Sequence, residues 1–300
     1  MHKYIYLIYK KSQQYNYHTN TLGIIRSLLA LSTLFVILFN PLDILFHTGL
    51  GVPSIPNCGD TLLSKINFFC LFSFNPYFSK ITAILILILT ISGFYPKITG
   101  LLHWWLALSV NTGLVIVDGG AQVASALTFL IIPLTLTDNR VNHWYSVKKQ
   151  QNEYVKISDF ITIQILKIQV AFIYFDAAIS KLFAPNWTEG TALYYFINDP
   201  SLGATGTRLD LLNTFFDFPL LLVLTTYFII ILELLLAISI FIKDSYFKHK
   251  LFILGIIFHI LIFLVFGIFT FIIVMFSALI LLLIPLNKEI FFLKKPLNNI

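Results

Sequence analysis

The sequence predicts an all-α membrane protein, a polytopic transmembrane bundle of about eight spans with both termini inside. Three observations predict this fold class. Of the 300 residues, 58% are hydrophobic and only 11% are charged, whereas soluble domains carry about 25% charged residues. The mean hydropathy is +0.85. Apolar runs also recur along the chain at close to the length of about 20 residues that crosses a hydrocarbon core of about 30 Å.

Eight apolar stretches qualify as predicted spans. The last two come from one run that is too long for a single crossing, and Gly267 is the expected break. The fourth is short and contains Pro133, which predicts a kink or an incomplete crossing. The spans are Leu22–Phe39, Phe78–Phe94, Leu101–Val117, Val123–Leu136, Phe160–Leu182, Phe218–Phe241, Leu251–Phe266 and Ile268–Leu286. Seven or nine crossings also fit the pattern.

The basic residues predict the orientation, because lysine and arginine concentrate in cytoplasmic loops. With the N-terminus inside, fourteen of them fall on inside segments and four on outside segments or outer helix ends. The inside set is Lys3, Lys10, Lys11, Lys97, Arg140, Lys148, Lys149, Lys156, Lys243, Lys248, Lys250, Lys288, Lys294 and Lys295, and the outside set is Lys65, Lys80, Lys181 and Arg208. The predicted organisation is a cytoplasmic segment over 1–21, a transmembrane domain over 22–286 and a cytoplasmic tail over 287–300.

Several enzyme and partner classes find no support in the sequence. It contains no HExxH, CxxC, GxSxG or Walker loop, so no metal, nucleotide or serine-hydrolase site is predicted. Basic inner loops that face anionic lipid headgroups explain the net charge of +6, so membrane lipids and not nucleic acid are the expected charged partners.

The two cysteines, Cys58 and Cys70, lie in the first predicted outside loop, Asn40–Tyr77. On the outside of a cell, a pair separated by eleven residues can form a disulfide. The alternative is two unrelated free thiols, with Cys70 in the apolar patch INFFCLFSF. The sequence leaves both interpretations open.

Charged and titratable residues inside the spans need polar surroundings or partners from other helices. Arg26 and Lys167 lie near the inner boundary, where each can snorkel to water. Glu233 can pair with one of them, although Glu233 and His259, both mid-span, are equally compatible with a functional role. The default interpretation of two further histidines, His103 and His143, which lie beside tryptophans, is an interfacial aromatic belt.

The fifth span carries the strongest functional signal. Lys167, Tyr174 and Lys181 recur every seven residues and therefore share one helix face. Gln169 and Asp176 share a face roughly opposite, so both faces need partners.

Lysine chemistry is the expected activity of this span. A desolvated lysine loses its proton more readily, and a neutral amine is a competent base or nucleophile. His259 titrates in the same chemical range. A lysine at the outer end of a helix can also snorkel to water, but the adjoining sequence favours a site, and we therefore interpret Lys181 as functional.

A resemblance to a known family starts in the same segment. Its pieces are Ile168-Gln169, Tyr174-Phe175, Ser180-Lys181-Leu182, Trp187, Glu189-Gly190 and Leu193-Tyr194-Tyr195. In that order they resemble the signature helix of the horizontally transferred transmembrane (HTTM) domain, which is shared with vitamin K-dependent γ-carboxylase. Ala177 and Ala178 stand where that family usually has an Ala-Gly pair. Arg26, Asp138-Asn139-Arg140 and His259 extend the resemblance over most of the chain.

Further pieces narrow the resemblance. They are Ile24-Ile25-Arg26-Ser27-Leu28-Leu29-Ala30-Leu31, Phe39-Asn40-Pro41, Asp118-Gly119-Gly120-Ala121-Gln122 and Pro133-Leu134-Thr135-Leu136-Thr137-Asp138. With them the chain resembles the sporulation-delaying-protein B family of bacterial membrane proteins. That resemblance implies a multi-pass protein of the cell membrane that helps to mature a secreted antimicrobial toxin peptide. Its expected partners are the peptide precursor and a protein of the same production system.

The resemblance also implies roles for individual residues. In the carboxylase, the lysine that matches Lys181 deprotonates a reduced quinone, so a quinone is the cofactor that the resemblance implies. Lys181 and His259 are the catalytic candidates. The candidates for substrate or cofactor binding are Asp118, Gln122, Gln169, Tyr174, Asp176, Trp187, Glu189 and Glu233. The chain departs from the carboxylase pattern in two places: Asp118–Gln122 contains no histidine, and one more residue separates Lys-Leu from Trp187.

Three functional hypotheses follow. The first is a membrane enzyme that acts on a peptide or a lipid-soluble cofactor, with Lys181 as its base. The second is a non-catalytic factor that holds, exports or confers immunity to a hydrophobic peptide, with the polar residues joining the helices. The third is a quinone-dependent carboxylase-like enzyme.

Overall fold

The computed structural model describes residues 2–46, 56, 58–115, 118–145 and 152–290. In this part of the chain all regular secondary structure is helical, which confirms the all-α fold class. The helices are α1 (His2–Ser12), α2 (Asn20–Phe39), α3 (Leu42–Leu45), α4 (Leu62–Ile66), α5 (Phe68–Leu71), α6 (Pro76–Ile91), α7 (Pro96–Gly113), α8 (Gly119–Thr137), α9 (Glu153–Leu182), α10 (Pro185–Thr188), α11 (Ala192–Ile197), α12 (Thr207–Phe216), α13 (Pro219–Ile238), α14 (Ser245–Phe266) and α15 (Phe269–Leu283). Of the predicted inside residues, Lys148, Lys149, Lys294 and Lys295 lie outside the described residues.

Each predicted span overlaps one of these helices. Five helical segments are long and apolar enough to cross a membrane: Asn20–Phe39, Gly119–Thr137, Glu153–Leu182, Pro219–Phe241 and Ser245–Phe266. Helices α6 and α15 are apolar but shorter, with 16 and 15 residues. The structure therefore supports a membrane protein with five candidate crossings, and the total of eight stays a prediction.

Local sequence explains where the helices begin and end. Helix α14 ends at Phe266, and Gly267 follows with φ +74°, a left-handed conformation that glycine adopts without steric cost. The predicted break between the last two spans is thereby confirmed. Helix α8 continues through Pro133. Helix α9 begins at Glu153, seven residues before the predicted span, because the polar turn that precedes Phe160 contains no proline or glycine to stop it.

The chain forms two compact units. Unit 1 comprises Met1–Leu166, Ile273–Ala278 and Pro285–Ile300, and unit 2 comprises Lys167–Ile272 and Leu279–Ile284.

Unit 1 is built on the packing of α2, α6, α7 and α8. Helices α7 and α8 approach closely at Gly100, where an added Cβ would clash with the side chain of Thr135. The apolar core of this unit joins the helices to the short segments α3 and α5, which supply Leu45, Phe46, Phe68 and Phe69. The start of α2 is fixed by a hydrogen bond from Thr19 Oγ1 to the Leu286 carbonyl, 2.7 Å long.

A disulfide joins Cys58 to Cys70 in unit 1. The segment after Cys58 is docked on α7 by Asn67, whose Nδ2 donates to the Ser109 carbonyl at 2.9 Å. Trp105 Nε1 donates to the Ile66 carbonyl at 2.6 Å. The bridge therefore closes a loop between residues 12 positions apart, and hydrogen bonds fix this loop on α7.

Removing this bridge should destabilise the protein by roughly 2–4 kcal/mol, because the cross-link restricts the unfolded chain. We expect the Cys58→Ser/Cys70→Ser variant to melt at a lower temperature in detergent than the wild type. The unreduced wild type should show no thiol that reacts after denaturation. Two titratable thiols in protein from oxidising conditions would contradict the bridge.

Unit 2 is built around α13, which packs against α11, α12 and α14. The turn after α10 is fixed on α13 by Thr226 Oγ1, which donates to the Gly190 carbonyl at 3.1 Å. Gly190 has φ +76°, and an added Cβ would lie 3.1 Å from Val223, so both its conformation and its contact favour glycine. This anchoring places the end of α9 beside α13.

Candidate functional site

Helix α9 places a lysine at its end in unit 2. Of the residues that share the predicted face, Tyr174 is buried and Lys181 is partly exposed in the last turn. Trp187 follows on α10, which begins three residues after α9 ends. The Lys-Leu and Trp-x-Glu-Gly frame thus folds into one local structure.

The Lys181 ammonium group makes three contacts. Its Nζ donates to the Ala177 carbonyl at 3.1 Å and to Glu233 Oε1 at 2.8 Å. It also lies 4.9 Å from the centre of the Trp187 ring, within the range of a cation–π interaction. An ammonium group has three hydrogens, and these three contacts can engage all of them. The last turn of α9, helix α13 and the Trp187 ring therefore hold the Lys181 side chain in place.

Glu233 supplies the negative charge from α13. Its side chain is only 8% exposed, and that of Lys181 is 18% exposed. Glu233 Oε1 accepts from Lys181, while Oε2 has no partner among the described residues. The prediction that Glu233 pairs with Arg26 or Lys167 is wrong. Lys181 is the partner because α13 is anchored to the turn that follows α9.

A second polar pair, Tyr174 and His259, lies in unit 2. The Tyr174 hydroxyl is 3.0 Å from His259 Nε2, and both side chains are buried. Either atom of this contact can be the donor, according to which imidazole nitrogen carries the proton. His259 Nδ1 has no partner in the described part of the chain. The rings of Phe258 and Phe271 surround the imidazole.

The other predicted site residues of unit 2 differ in exposure. Trp187 and Gln169 are half-buried, whereas Asp176 and Glu189 are exposed. Lys181 and Glu233 form one pair, and Tyr174 and His259 form the other. Within the described part of the chain, no side-chain hydrogen bond or ion pair gives Asp176 or Glu189 a fixed role.

Asp118 and Gln122 belong to unit 1, at the start of α8. The Asp118 side chain caps this helix, because its Oδ1 accepts from the Ala121 backbone N–H at 2.9 Å. Gln122 is exposed one turn later. Helix capping accounts for the presence of an aspartate at this position.

Unit 1 holds a buried polar centre that the sequence does not predict. Arg26 is 3% exposed, so it does not snorkel to water as expected. Its Nη1 lies 2.9 Å from His143 Nδ1, and its Nη2 donates to Thr99 Oγ1 at 3.1 Å. His143 and His103 are buried as well, so the aromatic-belt interpretation of both histidines is wrong. A loop that folds back into the helix ends replaces water as the partner of Arg26.

Backbone contacts hold His143 in this place. Its N–H donates to the Gly93 carbonyl at 3.0 Å, and Arg140 Nη1 donates to the His143 carbonyl at 2.8 Å. Arg140 in turn pairs with Asp138 at 2.7 Å. Burial alone would raise the pKa of Asp138, but the hydrogen bonds and charge of Arg140 lower it below its ordinary value. Adjacent opposite charges in the Asp-Asn-Arg turn are the sequence signal for this contact.

The thermal stability of the protein should fall on acidification because of His143. Burial lowers the pKa of His143 to about 2, and the charges of Arg26 and Arg140 contribute. The unfolded chain takes up this proton near its ordinary pKa of about 6.5, so the stability is complete above that pH and is lost as the pH falls below it. At pH 5 the loss is roughly 1–2 kcal/mol. His143→Gln should flatten the dependence of melting temperature on pH between 7 and 5, while the exposed His249→Gln should leave it unchanged; equal slopes in all three proteins would contradict this role.

Two curated proteins of Bacillus subtilis (strain 168) resemble the chain. Sporulation-delaying protein SdpB is 40% identical over 248 residues, which cover 82% of this chain and 75% of that protein. The uncharacterized protein YitO is 36% identical over 192 residues, which cover 63% of this chain and 61% of that protein.

No family model matches the chain, and no solved structure matches it. The alignment to SdpB nevertheless extends over most of both proteins, and the described fold is helical, with five candidate spans. The chain belongs to the sporulation-delaying-protein B family.

Proposed function

We propose that this protein acts in the bacterial cell membrane in the maturation of a secreted toxin peptide. The similarity to SdpB is consistent with a role in the production of a sporulation-delaying toxin. The observation that carries the proposed site is the Lys181–Glu233 ion pair, which combines a 2.8 Å contact with strong burial of the carboxylate. Charges are costly inside a membrane protein and mark functional positions. A peptide precursor and a further protein of the same production system are the proposed partners.

The pair has the composition needed for proton transfer. A proton that moves from Lys181 Nζ to Glu233 Oε1 converts an ammonium and a carboxylate into a neutral amine and a carboxylic acid. Apolar surroundings favour such a neutral pair over two buried charges. The amine can then accept a proton from the peptide, and the carboxylic acid of Glu233 holds the first proton until the cycle closes. His259 and Tyr174 form a second polar pair, which can bind the peptide or tune the proton transfer.

A non-catalytic factor is the second candidate function. The observation that favours it is that Lys181 already contacts a carbonyl, a carboxylate and an aromatic ring. An ammonium group with these contacts holds α9, α10 and α13 together, and this structural role requires no catalysed reaction. In this version the protein holds or exports a hydrophobic peptide, or protects the producing cell from it.

Quinone-dependent carboxylation has less support. We propose membership of the HTTM superfamily from the resemblance of the Lys181–Gly190 frame, and this resemblance implies a reduced quinone as cofactor. The residues do not fit that group, because the segment Asp118–Gln122 contains no histidine where the carboxylase has a functional one. We therefore derive no step through a quinone.

The proposed topology has eight crossings, with both termini and the tail 287–300 inside. It rests on the division of the basic residues into fourteen inside and four outside. A cysteine introduced at the exposed Leu62 should react with an impermeant thiol reagent added to intact cells, and one at the exposed Lys243 should not. The native cysteines form a disulfide and do not interfere. Labelling at position 243 from outside would contradict this topology.

The proposed function predicts that the mass or the amount of the secreted peptide depends on this protein. Cells that lack the protein should secrete no mature toxin peptide, and re-expression of the wild type should restore it. Intact-mass spectrometry of the culture supernatant and of the cell membrane separates a precursor that is not processed from one that is not exported. Equal amounts of mature peptide with and without the protein would exclude the proposal.

A further inference from the structure

Helix α12 presents three different faces. Leu209, Leu212 and Phe216 lie on the side where α12 packs against unit 2 and are half-buried. Leu211 and Phe215, four residues apart and therefore on one face, are 71% and 51% exposed. Asp210 and Thr214 form a neighbouring exposed face. A helix that served only to pack on its unit would have no reason to separate its exposed side into an apolar and a polar stripe.

The helix is held firmly in this rotation. Asn213 on α12 and Asn198 after α11 exchange two side-chain hydrogen bonds, 3.0 Å from Asn198 Nδ2 to Asn213 Oδ1 and 3.2 Å in the reverse direction. Arg208 Nη1 donates to the Leu264 carbonyl near the end of α14 at 3.4 Å. Rotation of α12 would break the amide pair, so the stripe of Leu211 and Phe215 has a fixed direction.

The position of α12 along the chain identifies what faces this stripe. The candidate membrane segment Pro219–Phe241 begins three positions after the last residue of α12. Since a residue spans at most about 3.5 Å, the last residue of α12 lies within roughly 10 Å of the first residue of that segment. The apolar stripe continues into it, because Phe218, Leu220 and Leu224 are 65%, 68% and 56% exposed. Such residues on a membrane-spanning helix face lipid.

We propose that α12 is an interfacial helix that lies at the boundary of headgroups and acyl chains. Leu211 and Phe215 enter the acyl chains, and Asp210 and Thr214 face water. Helices with separate apolar and polar faces bind the membrane surface in this manner. Its partner is thus the lipid surface of the membrane that holds the protein. This assignment does not depend on the proposed function.

Site-directed spin labelling in phosphatidylglycerol–phosphatidylethanolamine vesicles tests the proposal. The only two cysteines of the chain form a disulfide, so single cysteines can be introduced without removing others. The variants are Asp210→Cys, Leu211→Cys, Thr214→Cys and Phe215→Cys, each at an exposed position where substitutions have small effects on stability. Oxygen collides preferentially with labels in lipid, and a water-soluble nickel chelate collides with labels in water. A label at Ile231 of α13, 55% exposed, provides the lipid reference, and a free nitroxide in buffer provides the aqueous one.

We expect labels at 211 and 215 to favour oxygen as the label at 231 does, and labels at 210 and 214 to favour the nickel chelate. Nickel accessibility that is equally high at all four positions would overturn the proposal. So would labels at 211 and 215 that neither reagent reaches, because a protein surface would then cover the stripe. If Phe215→Cys does not accumulate, the accessibilities of the labels at positions 210 and 211 still distinguish these outcomes.

Discussion

Replacing Lys181 with arginine should abolish maturation of the toxin peptide while the protein accumulates normally. Arginine keeps the positive charge, the reach to Glu233 and the cation–π contact with Trp187, but it does not lose its proton in proteins. A base that is missing typically lowers the rate by roughly 10²–10⁴-fold. A purely structural ammonium at this position would be replaced by arginine with little effect. The measurement is the rate at which mature peptide appears after induction, at equal membrane levels of the two proteins.

Lys250→Arg is the matched control for this substitution. Lys250 also lies over an aromatic ring, 4.3 Å from the centre of Tyr246, and has no role in the proposed chemistry. We expect this variant to mature the peptide at the wild-type rate. Full activity of Lys181→Arg would remove the base assignment and favour the non-catalytic factor.

Replacing Glu233 with leucine should destabilise the protein by about 3 kcal/mol, because it leaves the positive charge of Lys181 unpaired in apolar surroundings. This value is at the lower end of the range for broken buried pairs, since the Lys181 side chain is 18% exposed. Replacement of both partners by apolar residues of similar size can restore stability. The variant Lys181→Met/Glu233→Leu should therefore melt nearer to the wild type than Glu233→Leu does. Thermal unfolding in detergent of the wild type, both single variants and the double variant gives the coupling between the two residues.

A melting temperature of Glu233→Leu equal to that of the wild type would show that the ion pair contributes nothing to stability. Asp176→Leu is a suitable control, because Asp176 is an exposed carboxylate on the same helix as Lys181. Its removal should change the melting temperature little.

Composition and periodicity predict most of the helical fold. The apolar runs predict a helix in each of the eight spans, and Gly267 predicts the break between the last two. The boundaries of α9 and the short helices α10, α11 and α12 are harder to predict, because polar turns can extend a helix or form separate ones with the same residue types. The Cys58–Cys70 bridge depends on a separation in space that the spacing in sequence does not fix.

The candidate site shows the limit of periodicity. The spacing of seven residues correctly places Tyr174 and Lys181 on one face of α9, but it cannot identify partners on other helices. The sequence predicts Arg26 or Lys167 as the partner of Glu233, and the anchoring of α13 to the turn at Gly190 brings Lys181 to it instead. In the same way, Arg26 lies close enough to the boundary to snorkel, and the loop that carries His143 supplies a buried partner instead. Contacts between distant segments decide both cases.

Intact-mass spectrometry of the toxin peptide from cells that express Lys181→Met/Glu233→Leu tests the central claim most directly. This variant lacks both charges of the site and, by the argument above, keeps the fold. If the ion pair performs the maturation, the cells should contain the precursor mass and secrete no mature peptide, even though the variant reaches the membrane at the wild-type level. Mature peptide of the normal mass and amount from this variant would contradict the claim, because the charged pair would then have only a structural role.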